Sequence, residues 1–509
     1  MNIKQAKQEI KNTIRAYLQK DEAGEYEIPV ERQRPILLIG APGIGKTAIM
    51  EQVAQECGIN LVSYTITHHT RQSAIGLPFI SRRNYDGKEY SVTEYTMSEI
   101  IASVYDQIEK SGIHEGILFL DEINCVSETL APTMLQFLQY KTFGMHRVPD
   151  GFLIVTAGNP PQYNKAVRDF DIVTLDRVKK IDVEADFDVW KEYAYKTGIH
   201  GAVMAYLGIR KEHFYSIRTE MEGRYFVTAR GWEDLSRMLE VYEELKIPVT
   251  KELTVQYLQD PEIAEDFATY YELYHKYRDL YRIPEILQGK YPENTTLQNA
   301  PFDEKLSIIG LLIDSLNQQF HRYAVDLGVQ KQLYAQLGIV RDLLKSREDA
   351  QVSGLLTGQK KQLEEDLKRS MAAKLLSRQE EAVRRKVLGA LSELIQKLTL
   401  QGTGDTAQDY ELVRAWFKAR EDRRSQEIGR TGDALTNSFG FLAGTFGEGQ
   451  ELVIFLSELT AGYYSLKFVS ECGNDAYYQY NSLLLLKDRR QELTQEVRKF
   501  TAGDTELEI

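Results

Sequence analysis

Cysteine is scarce in this chain. Its 509 residues include three, Cys57, Cys125 and Cys472. They are far apart and odd in number, and no Cys-x-x-Cys or Cys/His spacing joins them. That pattern argues against a disulfide framework or a zinc site and points to a reducing compartment. Basic charge is also in deficit, with Lys plus Arg at 62 against Asp plus Glu at 75, a net charge of −13. Phosphate contacts need a basic surface, so general nucleic-acid binding is not expected. Long apolar runs are missing as well. No stretch approaches the roughly 18 apolar residues of a membrane-spanning helix. The opening MNIKQAKQEIKNTIRAYL carries charges at helical spacing and lacks the apolar segment of a signal peptide. A cytoplasmic protein without a membrane partner is the expectation.

Proline stops early. All 13 prolines lie at or before Pro301, and proline breaks helix interiors. Beyond it, Leu306, Ile309, Leu312, Leu316, Phe320, Tyr323 and Leu327 recur every three or four residues, as do Val383, Val387, Leu391, Leu394 and Leu398. This is the period of helices with one buried stripe. Residues 302–400 are expected as long paired helices, with a hairpin break near Ser353-Gly354 or Thr357-Gly358. The first 180 residues read differently. Short apolar runs at Ile36–Ile39, Leu61–Tyr64, Ile117–Leu120 and Phe152–Thr156 alternate with helical patterns. They suit the buried strands of a parallel sheet in an α/β fold. Residues 186–290 are again helical in pattern, and the length requires more than one domain.

Residues 40–47, Gly40-Ala41-Pro42-Gly43-Ile44-Gly45-Lys46-Thr47, form a complete GxxxxGK[ST] phosphate loop. It lies between a strand-like run and a helical pattern that starts at Ala48, the context this motif needs. Glycines let successive N–H groups point at phosphate oxygens, and the following helix adds its positive end. Lys46 would reach the outer phosphates, and Thr47 would ligate Mg²⁺. Downstream, the run ILFL ends in Asp121-Glu122. Asp121 is placed to hold Mg²⁺ and Glu122 to polarise the attacking water. After a third apolar run, the amide of Asn159 is placed to orient that water.

In motif order and spacing the chain resembles the AAA+ superfamily, and within it the MoxR family. The matching stretches are GAPGIGKT, AIGLP at 74–78, LFLDEINCVSETLAPTMLQFLQ at 118–139, VTAGNPP at 155–161, TLDRV at 174–178 and TARGWEDLS at 228–236. They cover roughly residues 30–245. The resemblance implies an α/β P-loop core with a parallel sheet, an α-helical lid and a largely all-α C-terminal half. It implies ATP and Mg²⁺ as cofactors and a ring-shaped homo-oligomer, most often a hexamer. It also implies a trans-acting arginine at Arg177, with Arg168 as the alternative, and a lid arginine at Arg230. Val178 replaces the usual Phe of the finger motif, and the proline before the lid arginine is absent. The MoxR branch carries an inserted hairpin. Asp86-Gly87 between two strand-like runs fits one, and a second hairpin is expected at 141–154 around Val148-Pro149-Asp150-Gly151. The expected segments are 1–185 for the nucleotide domain, 186–300 for the lid, 301–400 for a helical arm and 401–509 for a helical C-terminal region. The implied activity is ATP-driven remodelling of protein partners, including von Willebrand factor A-like proteins. A nucleic-acid-dependent motor or defence-type ATPase and a nucleotide-gated scaffold with low turnover are the alternatives.

Overall fold

The computed structural model describes residues 1–68, 74–163, 170–221, 223–291, 297–346, 351–373 and 375–482. Arg168 lies outside these residues. Helix α1 (Ile3–Leu18) opens on a capping box, in which the Asn2 side chain accepts from the Gln5 N–H and the Gln5 side chain accepts from the Asn2 N–H. There follow β1 (Ile36–Gly40), α2 (Lys46–Cys57), β2 (Asn60–Thr65), β3 (Pro78–Tyr85), β4 (Lys88–Tyr95), α3 (Glu99–Ser111) and β5 (Gly116–Asp121). Next come α4 (Ala131–Tyr140), β6 (Thr142–Phe143), β7 (His146–Arg147), β8 (Phe152–Gly158), α5 (Ile172–Leu175) and β9 (Lys179–Val183).

Five strands form one parallel sheet in the order β2-β5-β8-β1-β9. Central β8 is buried along its whole length and β5 up to its last residue. Both are predominantly apolar, as strands covered on two faces require. Edge strand β9 escaped the sequence reading because its sequence, KKIDV, buries only alternate residues. Helix α3 starts on Ser98, whose hydroxyl accepts from the Ile101 N–H. Its Ile100, Ile101 and Val104 are fully buried in a core with Leu118, Leu120 and Phe137. At about 1.5–3 kcal/mol for each fully buried large aliphatic side chain, this face fixes the helix on the sheet.

Strands β3 and β4 pair antiparallel through a two-residue turn. Asp86 (φ 51°) and Gly87 (φ 78°) both take the positive φ that such a turn demands. Most of this hairpin is exposed, Ile80 at 77%. The second hairpin differs from expectation. Its strands β6 and β7 have two residues each, and its turn is Gly144-Met145 instead of Val148–Gly151. Gly144 takes the positive φ (58°), whereas Val148 is buried in the core.

The chain continues with α6 (Phe187–Thr197), α7 (Gly201–Ile209), β10 (Ser216–Glu220), β11 (Gly223–Val227), α8 (Ala229–Leu245), α9 (Lys251–Leu258), α10 (Pro261–Leu280) and α11 (Ile283–Leu287). The purely helical expectation for 186–290 therefore needs correction, because β10 and β11 pair antiparallel. Last come α12 (Phe302–Ser346), α13 (Val352–Ala372), α14 (Arg378–Gln401), α15 (Thr406–Phe446), α16 (Gln450–Ala461), α17 (Tyr463–Cys472) and a helical segment at 475–482. The break expected near Ser353-Gly354 is matched to within a few residues, since α12 ends at Ser346 and α13 begins at Val352 after an extended Gln351. Thr357-Gly358, the other expected position, lies inside α13, where glycine costs only about 1 kcal/mol relative to alanine. Among the described residues no single helix is long and apolar enough to cross a membrane.

The chain divides into two compact units. The first comprises Met1–Val189, Thr228–Arg230 and Val340–Thr399; the second comprises Trp190–Val227, Gly231–Ile339 and the chain from Leu400 onward. Residues 301–400, read from the sequence as one arm, are thus shared between the two. In the first unit α13 packs on α3. Two amide side chains hold the turn that follows α13. Gln107 of α3 donates to the Ala373 carbonyl at 3.3 Å, and Gln55 of α2 donates to the Leu376 carbonyl at 3.1 Å. The second unit has an aromatic core in which Tyr206, Trp232 and Phe267 meet with ring centroids 5.2–5.6 Å apart.

Candidate functional site: a phosphate loop at the strand ends

The site lies in the first unit, beyond the C-terminal ends of β1, β5 and β8, where parallel sheets place their ligands. The loop from Gly40 to Thr47 leaves β1 and enters α2. Gly43 (φ 75°) and Gly45 (φ 95°) take left-handed conformations that a side chain would resist. A Cβ on Gly43 would also lie 2.8 Å from Thr228, and one on Gly40 would lie 2.7 Å from the Val183 carbonyl. Pro42 and Ile44 complete the loop, and Ala48 follows in the first turn of α2.

Lys46 is 8% exposed. Its ammonium donates to the carbonyls of Gly40 (2.7 Å) and Ala41 (2.8 Å) and to Asn159 Oδ1 (2.9 Å). Burial pushes this group down to about 8. Asp121 opposes the shift, Arg230 reinforces it and Glu122 opposes it. Thr47 Oγ1 donates to Asp121 Oδ2 at 2.9 Å. The other Asp121 oxygen accepts from the Glu122 N–H at 2.9 Å. Glu122 sits just past β5 at φ 57°, and Thr67 donates to its carboxylate at 3.1 Å. The conformation is uncommon for a residue with a Cβ, and such residues gather where a side chain must be aimed.

The structure thus brings Lys46, Thr47, Asp121 and Asn159, which are scattered over more than one hundred positions, into two hydrogen-bonded pairs, Lys46–Asn159 and Thr47–Asp121, joined through the consecutive residues Lys46 and Thr47. Arg230, at the start of α8, is tied in through its backbone, whose N–H donates to the Gly43 carbonyl at 3.2 Å. Arg177 is different. It occupies an exposed turn after α5, beside Ile172 (84% exposed) and Val173 (57%). It makes no hydrogen bond or ion pair with the group among the described residues. Sequence reasoning missed Asn124, which is 5% exposed and donates from Nδ2 to the Asn159 carbonyl at 2.8 Å. Its Oδ1 is buried without a hydrogen-bond partner among the described residues. A Cβ on Gly158 would lie 2.5 Å from that oxygen, so this strand end has room only for glycine. The one sequence signal was a polar side chain set between Ile123 and Val126.

The oxygens suit a hard cation. A hydroxyl and a carboxylate 2.9 Å apart at the rim of a phosphate loop are the donor types Mg²⁺ takes, with phosphate oxygens and water as its other ligands. Residues 36–175 match the family model of the ATPase family associated with various cellular activities (AAA). The match runs from β1 to the end of α5. No curated protein matches the chain. An AAA ATPase domain with a five-stranded parallel sheet therefore occupies the N-terminal part, followed by a largely helical C-terminal half.

Proposed function

We propose that this protein hydrolyses ATP as a MoxR-type AAA+ machine, working as a ring-shaped homo-oligomer that remodels or assembles protein partners. The observation that carries the reading is the convergence of Lys46, Thr47, Asp121 and Asn159, with Glu122 on the adjoining strand end.

Phosphoryl transfer to water needs charge neutralisation and an aligned nucleophile more than covalent chemistry. Lys46 exchanges the Gly40 and Ala41 carbonyls for the outer phosphate oxygens, a stronger partner for an ammonium. Backbone N–H groups of the loop hold the remaining phosphate charge. Thr47 and Asp121 would hold Mg²⁺, which when bound supplies further neutralisation of the phosphates. Glu122 accepts the proton of the attacking water, and Asn159 orients that water. Arg177 enters a neighbouring subunit's site, and such fingers contribute roughly 10³–10⁵ in rate. Its exposed turn, preceded by exposed Ile172 and Val173, supports an intersubunit place for it. Arg230 opens α8 and couples the nucleotide to the lid. The partners are proteins, von Willebrand factor A-like ones among them, and the net charge of −13 disfavours nucleic acid.

Steady-state ATPase rates and nucleotide affinity test this together. Lys46→Ala is expected to weaken ATP binding at least tenfold. Glu122→Gln is expected to bind ATP, turn over about 100-fold more slowly and accumulate as the large oligomer. Equal rates for wild type and Glu122→Gln would remove Glu122 from its role. Strong stimulation by DNA or RNA would replace protein remodelling with a nucleic-acid motor.

A further inference from the structure

The second unit contains a cavity of about 520 Å³. Residues of α6, α7, α8, α10, α12 and α16 line it. One wall is apolar, with Met204, Ile309, Ile313 and Ile454. The polar lining is unusual in its charge balance. Lys191 is paired with Glu458, which also accepts from the Tyr195 hydroxyl. Arg278 faces Glu243 at 3.8 Å. His200 Nδ1 accepts from the Ala202 N–H at 3.1 Å, so the ring proton sits on Nε2 and donates to Glu243 at 2.8 Å. Lys191 and Arg278 are thus matched by carboxylates, while Asp314, Glu240 and Glu244 also line the cavity and have no ion-pair partner among the described residues.

Asp314 and Tyr274 mark the polar end. The Asp314 carboxylate receives one hydrogen bond, from Gln318 at 3.3 Å. Tyr274 is 1% exposed, and its hydroxyl has no hydrogen-bond partner among the described residues. Both groups crowd the same point. A Cβ on Gly201 would lie 2.4 Å from Asp314 Cγ and 2.6 Å from the Tyr274 hydroxyl oxygen. Burial pushes both groups up from their ordinary values. An unpaired carboxylate and an orphan hydroxyl side by side are costly to a fold. A largely apolar pocket with a few convergent polar groups is the usual form of a small-molecule site.

We propose that this cavity binds a protonated primary alkylamine, its ammonium held between the Asp314 carboxylate and the Tyr274 hydroxyl and its alkyl chain along the isoleucine wall. An ammonium offers three donors to acceptors that lack them and cancels the unmatched charge. A divalent metal fits less well. It takes six or more oxygen ligands, and no metal-binding group of three acidic, histidine or cysteine side chains occurs among the described residues. An anion would meet three carboxylates.

The test is thermal denaturation and calorimetric titration of the full chain with n-butylamine, 1,4-diaminobutane and spermidine at neutral pH. n-Butanol serves as the uncharged control and MgCl₂ as the metal control. At least one amine is expected to bind saturably and raise the melting temperature, with butanol inactive and any MgCl₂ response, which the Thr47–Asp121 site can give, the same in wild type and Asp314→Asn. Tyr274→Phe separates binding from folding. It removes an unsatisfied buried hydroxyl, so the free protein should melt at the same temperature or higher, while amine affinity falls about tenfold. Asp314→Asn should abolish binding, whereas Lys46→Ala should leave it unchanged. Absence of saturable amine binding, a MgCl₂ response that Asp314→Asn removes, or undiminished affinity in both cavity variants overturns the proposal.

Discussion

Lys46 shows how much of the site's behaviour a single residue sets. Its ammonium is buried and titrates near 8 in the free protein, against about 10.4 for an unperturbed lysine. A bound phosphate favours the charged form. ATP binding near pH 8 should therefore take up a fraction of a proton, and that uptake should fade toward pH 6, where Lys46 is already charged. Calorimetry in buffers of different ionisation enthalpy reads this directly; uptake that does not change between pH 6 and 8 would contradict it. The linkage to stability has a definite sign. A lysine with a lowered folded value binds fewer protons folded than unfolded, so stability rises with pH between about 8 and its unfolded value. Lys141, also buried and lowered to about 8, acts in the same window. Lys46→Met should therefore reduce, without abolishing, the gain in melting temperature across it.

Asn124 sits at the same scale. Its hydrogen bond to the Asn159 carbonyl contributes roughly 1 kcal/mol and fixes the backbone that carries Asn159. Asn124→Ala is expected to lower kcat about tenfold with KM for ATP nearly unchanged; a change confined to KM would place Asn124 in binding instead. The phosphate loop was legible from sequence because its chemistry is local, with glycines, lysine and threonine consecutive between a strand and a helix. Asn124 was not, since its meaning depends on a partner 35 positions away.

Among the elements, the β3–β4 hairpin makes a clear case. Its turn could be read from Asp86-Gly87, because few other pairs accept two positive φ values in succession. Its neighbour β6–β7 could not be placed, because Pro149-Asp150-Gly151 offered a stronger turn signal than Gly144-Met145. Tertiary burial of Val148 decided the matter. Strands β9 to β11 went partly or wholly unseen for a related reason, as their alternating patterns bury few side chains. Most of the β3–β4 hairpin is exposed, so replacing residues 78–95 with a short Gly-Ser linker should shift the melting temperature by only a few degrees. A cooperative loss of structure on far-UV circular dichroism would mean that the hairpin supports the core.

At the scale of the whole chain, the two compact units interleave in sequence. Helical periodicity revealed the late helices but not the docking of residues 340–399 on the nucleotide domain, since surface amides such as Gln55 and Gln107 carry no pattern. Each donates one bond to the turn after α13, worth roughly 0.5–1.5 kcal/mol. The double variant Gln55→Ala, Gln107→Ala should accelerate hydrogen exchange across 352–373 while protection in β5 and β8 stays the same. Unchanged exchange in α13 would show that apolar packing alone holds it.

The first unit draws on residues as late as Thr399, and this sets an order of events during synthesis. Strands and phosphate loop leave the ribosome early, yet the outer side of α3 and the end of α2 stay uncovered until the α13–α14 turn emerges some 270 residues after α3. A nascent chain halted before that point would display an incomplete nucleotide domain, a natural target for chaperones.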